Sequence, residues 1–268
     1  MKISKTLIAS VVGGLSLLAS TAASAIVVGG VDFGSNGLSH LETTTVAETY
    51  VDGPGQTLLG YGQINTVNGD IAYAGAQRLY FTFSYTVDTF VVDPQGNGAV
   101  TFSGGVVNIY LGNNFNLLNQ SSAANIGIIQ SYSPWLTLAG HAMNGTTHEL
   151  TASGTLTGTT ISFSGQGLAD VVGGLPAVMA ALDSNSIGDG AGGFADIALT
   201  TSGNNFVRNT FDNTAGCRTN QATVGQWCIQ GSADLRGDLT VVPEPASLAL
   251  VGLSLLGLGV ASQRKRKS

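Results

Sequence analysis

Positive charge is scarce in this chain. Of 268 residues only 10 are Lys or Arg, and six of those stand at the two ends: Lys2, Lys5, Arg264, Lys265, Arg266 and Lys267. Between Ile26 and Val242 the cations are Arg78, Arg208, Arg218 and Arg236, against 15 of the 16 acidic residues, so this body carries 4 − 15 = −11. A surface of that sign repels phosphate backbones and anionic lipid, which excludes nucleic-acid binding. Charge of either sign is also thin, at 10% against about 25% in an ordinary globular domain.

Histidine and cysteine are nearly absent too. The three histidines are His40, His141 and His148; the last two are seven apart with Glu149 following, so the helical HExxH zinc geometry is missing. No serine stands in a G-x-S-x-G elbow, and no phosphate-cradling or dinucleotide glycine pattern occurs. No catalytic residues are therefore expected, although paired carboxylates for sugar hydrolysis depend on three-dimensional spacing that sequence does not show. Cys217 and Cys228 are the only cysteines. Outside the cytoplasm such a pair is expected to close a local disulfide, in preference to supplying a reactive thiol, which no neighbouring His, Lys or CxxC spacing supports.

What the chain has in abundance is glycine, 38 residues, about twice the usual ~7%, with Ser, Thr, Asn and small aliphatics. The mean hydropathy of +0.26 is too high for a disordered polar chain. From Leu79 to Val87, apolar Leu79, Phe81, Phe83, Tyr85 and Val87 alternate with Tyr80, Thr82, Ser84 and Thr86, the period of a half-buried strand. Asp93-Pro94-Gln95-Gly96-Asn97-Gly98 is turn chemistry. Strand spacing resumes at Val100 and Phe102, and its phase shifts after Gly104-Gly105 to Val107, Ile109 and Leu111, as at a bulge or tight turn. Thr151–Gly165 reads as a strand pair with Leu156, Ile161 and Phe163 inward; Ile197 with Leu199, and Leu235–Val241, read as late strands. Leu175–Leu182, with Pro176 in its first turn, is the one short-helix candidate, and 113–140 fits neither pattern. The expected body, residues 26–241, is all-β: an antiparallel β-sandwich or related fold with one short helix.

Asp183-Ser184-Asn185-Ser186-Ile187-Gly188-Asp189 opens like a calcium loop, but Ile187 takes a ligand position and Phe194 stands where the bidentate Glu belongs, which excludes an EF-hand. Asp183, Asn185 and Asp189 remain candidates for a looser extracellular Ca²⁺ site, beside the plainer reading of an acidic glycine loop that ends the helix. Tyr132 and Trp135, flanking Pro134, are candidates to stack on a sugar ring, beside the commoner use of such rings in a core.

The ends hold the long apolar runs. Lys2 and Lys5, the uncharged stretch from Thr6 to Ala19, and Ala23-Ser24-Ala25 make a secretory signal over 1–25, with signal peptidase expected to cut after Ala25. Residues 246–261 carry no charge. As a helix they reach about 24 Å, short of a ~30 Å hydrocarbon core unless Arg264 snorkels. Arg264, Lys265, Arg266 and Lys267 would hold that end in the cytoplasm and leave the body outside, the orientation the leader also demands. Before the run, Pro243-Glu244-Pro245 biases Val242 and Glu244 away from helix and sets out an extended strip.

The Pro-Glu-Pro triplet, a short glycine-rich apolar helix and a terminal Arg/Lys cluster, over 242–268, resemble the PEP-CTERM sorting signal of Gram-negative bacteria. That resemblance implies transient inner-membrane anchoring, recognition at Val242-Pro243-Glu244-Pro245 by an exosortase, removal of helix and tail, and delivery to the cell surface or extracellular matrix. The body is also similar to the flocculation-associated PEP-CTERM group in "FVVDPQGNG…VTFSGGVVNIYLG" (Phe90–Gly112), "ASGTLTGT" (Ala152–Thr159) and a late cysteine pair before VPEP. The similarity implies a non-enzymatic role in floc or biofilm formation through extracellular polysaccharide. A Ca²⁺-dependent carbohydrate-binding module and a polysaccharide hydrolase on a β-sandwich are the competing expectations.

Overall fold

A computed structural model describes residues 25–118, 120–157, 160–205, 211 and 223–240. The signal at 1–25 up to Ala25, the segment at 241–268 and Cys217 lie outside the described residues. No helix among those described is long and apolar enough to cross a membrane.

Fourteen strands and two helices make up the described chain. A small hairpin, β1 (Val27–Val28) and β2 (Val31–Asp32), precedes β3 (Leu38–Thr49), β4 (Thr57–Gln63), the short β5 (Thr66–Val67), β6 (Gln77–Val92) and β7 (Asn97–Asn113). Helix α1 (Ser122–Gln130) leads into β8 (Ser133–His141), β9 (Leu150–Thr157) and β10 (Thr160–Gly174). Helix α2 (Pro176–Leu182), the hairpin β11 (Ile187–Gly188) and β12 (Phe194–Ala195), β13 (Ile197–Asn204) and β14 (Trp227–Asp238) complete it.

The main sheet closes on itself. Its antiparallel order runs β3, β4, β6, β7, β8, β10, β13, β14, and β14 pairs back onto β3. Strand β9 fills the gap below β8: β7 pairs β8 through 106–111 and β9 through 97–102, while β10 pairs Leu168 with His141 and Gly167 with Leu150. Strands β8 and β9 are thus one wall position, interrupted by the loop 142–149. The result is an eight-position up-and-down barrel in which each wall position pairs with the next along the chain and the last, β14, closes onto the first, β3. This corrects the expected sandwich. A closed ring leaves no sheet edge to protect, and eight strands enclose a lumen just wide enough to be filled by side chains or to hold one small ligand.

The strands fall where alternation places them. On β6 the inward Leu79, Phe81, Tyr85 and Val87 are buried. The phase shift at Gly104-Gly105 is a bulge, seen as a register slip between Ser84 and Thr86 on the partner strand, with Gly104 at φ +62°. Asp93 caps the β6–β7 turn, its Oδ1 accepting from the N–H of Gln95 and Asn97. Helix α2 begins at Pro176 as expected. The second helix was not expected: α1, inside 113–140, starts where the Ser121 hydroxyl accepts from the Ala124 N–H. It buries Ser122, Asn125 and Ile129 against the outer wall beside Tyr61 and Tyr80. Polar buried residues hid it from a hydrophobic-period reading.

One end of the barrel is plugged. Phe33 stacks on Trp135 at 6.3 Å, the Trp135 indole N–H donates to the Gly29 carbonyl, and Val178 and Leu182 of α2 are fully buried beside them. Trp135 is 0% exposed, so it belongs to this plug and offers no platform to a sugar. Both ends of the described body lie on this side: the Ile26 N–H donates to the Gly34 carbonyl, and the Thr240 N–H donates to the Ala181 carbonyl. The β6–β7 turn, the adjoining ends of β9 and β10 and the connection 50–56 form the opposite rim.

Candidate functional site

Residues on every wall position, with β9 and not β8 representing the one those two share, line one cavity of about 370 Å³ inside the barrel. Small inward residues clear the space. Glycines at 60, 62 and 203 face in, and each is covered by the ring of a directly paired aromatic: Phe83, Phe81 and Phe163. Toward the rim, Phe90, Val100, Leu156 and Ile161 continue the apolar lining, all partly exposed. The cavity therefore opens at the rim and ends at the plug.

Glu48 faces into this cavity. It is 3% exposed and lies opposite Gly60 on β4 and Ile229 on β14, neither of which brings a side chain that can hydrogen-bond. No hydrogen bond or ion pair to its carboxyl is found among the described residues. Burial alone pushes its pKa from 4.5 to about 8, so Glu48 is chiefly a neutral carboxylic acid at pH 7. Tyr85, also lining the cavity, has a buried hydroxyl with no partner, and burial pushes its phenol up as well. Asp52, the other acid on the lining, is exposed at the rim with its Oδ1 accepting from the Gln56 amide.

Sequence reasoning missed Glu48. Its signal was the in-phase pair Val46 and Glu48, but β3 slips register against β14 between Thr43 and Val46. Unbroken alternation from Leu41 and Thr43 marks position 48 as outward; the slip is what moves the inward set to Val46 and Glu48.

The three histidines all sit against carboxylates on or near the outer wall. His141 Nδ1 lies 2.8 Å from Asp170 Oδ2, and its Nε2 lies 3.6 Å from Asp189 Oδ2. His148 Nδ1 is 3.4 Å from Asp88. His40 Nε2 is 3.2 Å from Glu42 and 3.9 Å from Asp234, and these three offer ligand atoms within 4.8 Å of one another. A cation there would compete with Arg236, whose Nε also approaches His40 Nε2 at 3.2 Å.

The calcium candidates are hydrogen-bonded within the chain. Asp183 accepts from the Asn185 side-chain amide, whereas Asp189 Oδ1 accepts from the N–H of Ala191 and Gly193. The Ala191 bond heads the causes that hold Asp189 below the usual carboxylate range. Asn185 instead gives its backbone N–H to Asp196. These groups pin the loop after α2 to β8 and β10. Cys228 is buried on β14; its expected partner Cys217 lies outside the described residues. So do Val242, Pro243, Glu244, Pro245 and the basic tail. Ala25 is described and exposed.

Residues 241–266 match the PEP-CTERM protein-sorting motif. No curated protein and no solved structure matches the chain. The chain thus carries the sorting signal of an exported, exosortase-processed protein of the Gram-negative cell envelope or surface, and the signal starts one residue after Thr240, the last described residue, at the plugged end.

Proposed function

We propose that the processed protein acts outside the cell as a non-enzymatic surface or matrix component of polysaccharide-associated aggregation, in flocs or biofilm. The observation that carries this reading is the sorting motif at 241–266 joined to a body of charge −11. Leader removal after Ala25 by signal peptidase and cleavage near Pro243 by exosortase would leave that body alone. The acidic residues favour this reading through their placement: they hold turns and outer-wall histidines, as Asp93, Asp170 and Asp189 do. The cavity lining of aliphatic and aromatic side chains offers a sugar chain few hydrogen-bond partners, which sets it apart from a hydrolase cleft.

Deletion of the gene tests this directly. Aggregates are expected to disperse while polysaccharide synthesis continues; loss of the polymer itself would assign the protein to synthesis instead.

A further inference from the structure

The cavity is a stronger feature than a void left by loose packing. Empty apolar cavities are lined by apolar atoms alone, yet this one is lined by Glu48, whose buried carboxyl has no protein partner among the described residues. A buried polar group without a partner costs roughly 1–3 kcal/mol, and a barrel could avoid that with one Leu at position 48. The volume lies within the usual ~300–1,000 Å³ of small-molecule sites, and such sites combine an apolar lining with a few polar groups that fix orientation.

The chemistry of the head group follows from what faces it. A neutral carboxyl donates one hydrogen bond and accepts another, which suits a hydroxyl or a carbonyl. An anionic head would find no cation: among the described residues the cations are Arg78 and Arg236, and neither lines the cavity. Arg78 donates to the Gly75 and Gln77 carbonyls, and Arg236 stands on the outer wall beside His40. An ammonium head would require Glu48 to ionise between Gly60 and Ile229, where the desolvation of both ions offsets their attraction.

We propose that the barrel cavity binds one elongated, uncharged apolar molecule bearing a hydroxyl or carbonyl head, with Glu48 as the hydrogen-bonding partner of that head. The class includes long-chain alcohols, ketones and neutral isoprenoids. With Ile26 and Thr240 both at the plug, the rim through which the ligand enters lies at the opposite end of the barrel.

The test is titration of the processed protein, in detergent-free buffer, with the neutral dye Nile red. Dodecanol, dodecanoate and dodecylammonium then compete for the dye. One dye per chain is expected to bind with blue-shifted emission, and dodecanol is expected to displace it at least about tenfold more tightly than either charged chain, or about 1.4 kcal/mol. Glu48→Leu removes that preference while dye still binds, and Glu48→Gln, which keeps a donor and an acceptor, restores it. Circular dichroism verifies the fold of each variant. Absence of saturable dye binding by folded protein would show a cavity filled by water and overturn the proposal. So would preference for dodecylammonium, or a ranking that Glu48→Leu leaves unchanged.

Discussion

The ring of Phe83 occupies the place where a side chain on Gly60 would sit: a Cβ added to Gly60 falls 2.1 Å from that ring. The two residues are direct cross-strand partners, and the relationship recurs at Gly62 with Phe81 (2.7 Å) and Gly203 with Phe163 (2.4 Å). Aromatic rings laid over paired glycines let a small barrel curve tightly while its wall stays apolar. They also set how much of the lumen remains empty.

Gly60→Val is therefore expected to turn the Phe83 ring into the lumen. Phe83 is only partly buried, so the ring has room to move, and the cost should stay in the ~1–3 kcal/mol range of overpacking. Thermal melts should show a folded protein of lower Tm, and Nile red capacity should fall. Unchanged dye binding would place the dye outside the barrel.

Glu48 makes stability depend on pH with a definite sign. Its folded pKa of about 8 stands above the unfolded value near 4.5, so the folded state holds the proton more tightly. The advantage is complete below about 4.5 and disappears as pH rises through about 8. Tyr50, Asp52 and Tyr85 are the other titratable groups on the lining. Glu48→Met should raise Tm more at pH 9 than at pH 4.5, read by calorimetry across that range. Equal gains at both values would contradict a buried neutral acid.

His141 gives a second dependence on pH. The Asp170 hydrogen bond heads the causes that raise its pKa above the ordinary 6.5, with Asp189 adding to it. Protonated His141 thus stabilises the loop after α2 fully below its unfolded pKa, and the contribution is lost as pH rises through the raised folded value. His141→Gln should flatten the melting profile over that window, and protease cutting within 183–193 should increase at low pH relative to the parent. Nuclear magnetic resonance titration of the imidazole reads the pKa itself.

Trp135 should behave as a core residue. In a Trp227→Phe background its emission should be blue-shifted, resistant to iodide, and unaffected by added polysaccharide. Quenching by sugar would return Trp135 to a binding role. Trp135→Ala is expected to cost ~3–5 kcal/mol, because it removes the stacking partner of Phe33 and the donor to Gly29 together.

Much of the wall was legible because alternation needs only local information. Leu79 to Val87, the Asp93–Gly98 turn, the phase shift at Gly104-Gly105, Leu156 with Ile161 and Phe163, and the helix at Pro176 all fall where their patterns place them. Closure was not legible. Whether eight strands split into two sheets or join β14 to β3 depends on pairings such as Leu235 with Leu41, far apart in sequence and chemically ordinary. Helix α1 was hidden because its buried face includes Ser122 and Asn125, which hydrogen-bond Tyr61. Glu48 was hidden by the register slip before Val46.

The sorting segment makes a prediction of its own. Replacing Pro243-Glu244-Pro245 with Ala-Ala-Ala should leave the precursor in the membrane fraction, since the extended strip offered to the peptidase is lost. Release at the parent's level would detach processing from the triplet. Alkylation without reductant should leave Cys217 and Cys228 unmodified, and alkylation after reduction should label both; labelling of either without reductant would remove the proposed pairing.

Intact-mass spectrometry of the protein recovered from floc or medium is the most direct measurement. The expected species begins after Ala25, ends near Pro243, and lacks both apolar runs and all six terminal cations. Recovery of only chains that still carry Arg264-Lys265-Arg266-Lys267 would contradict an exported body freed from its sorting signal.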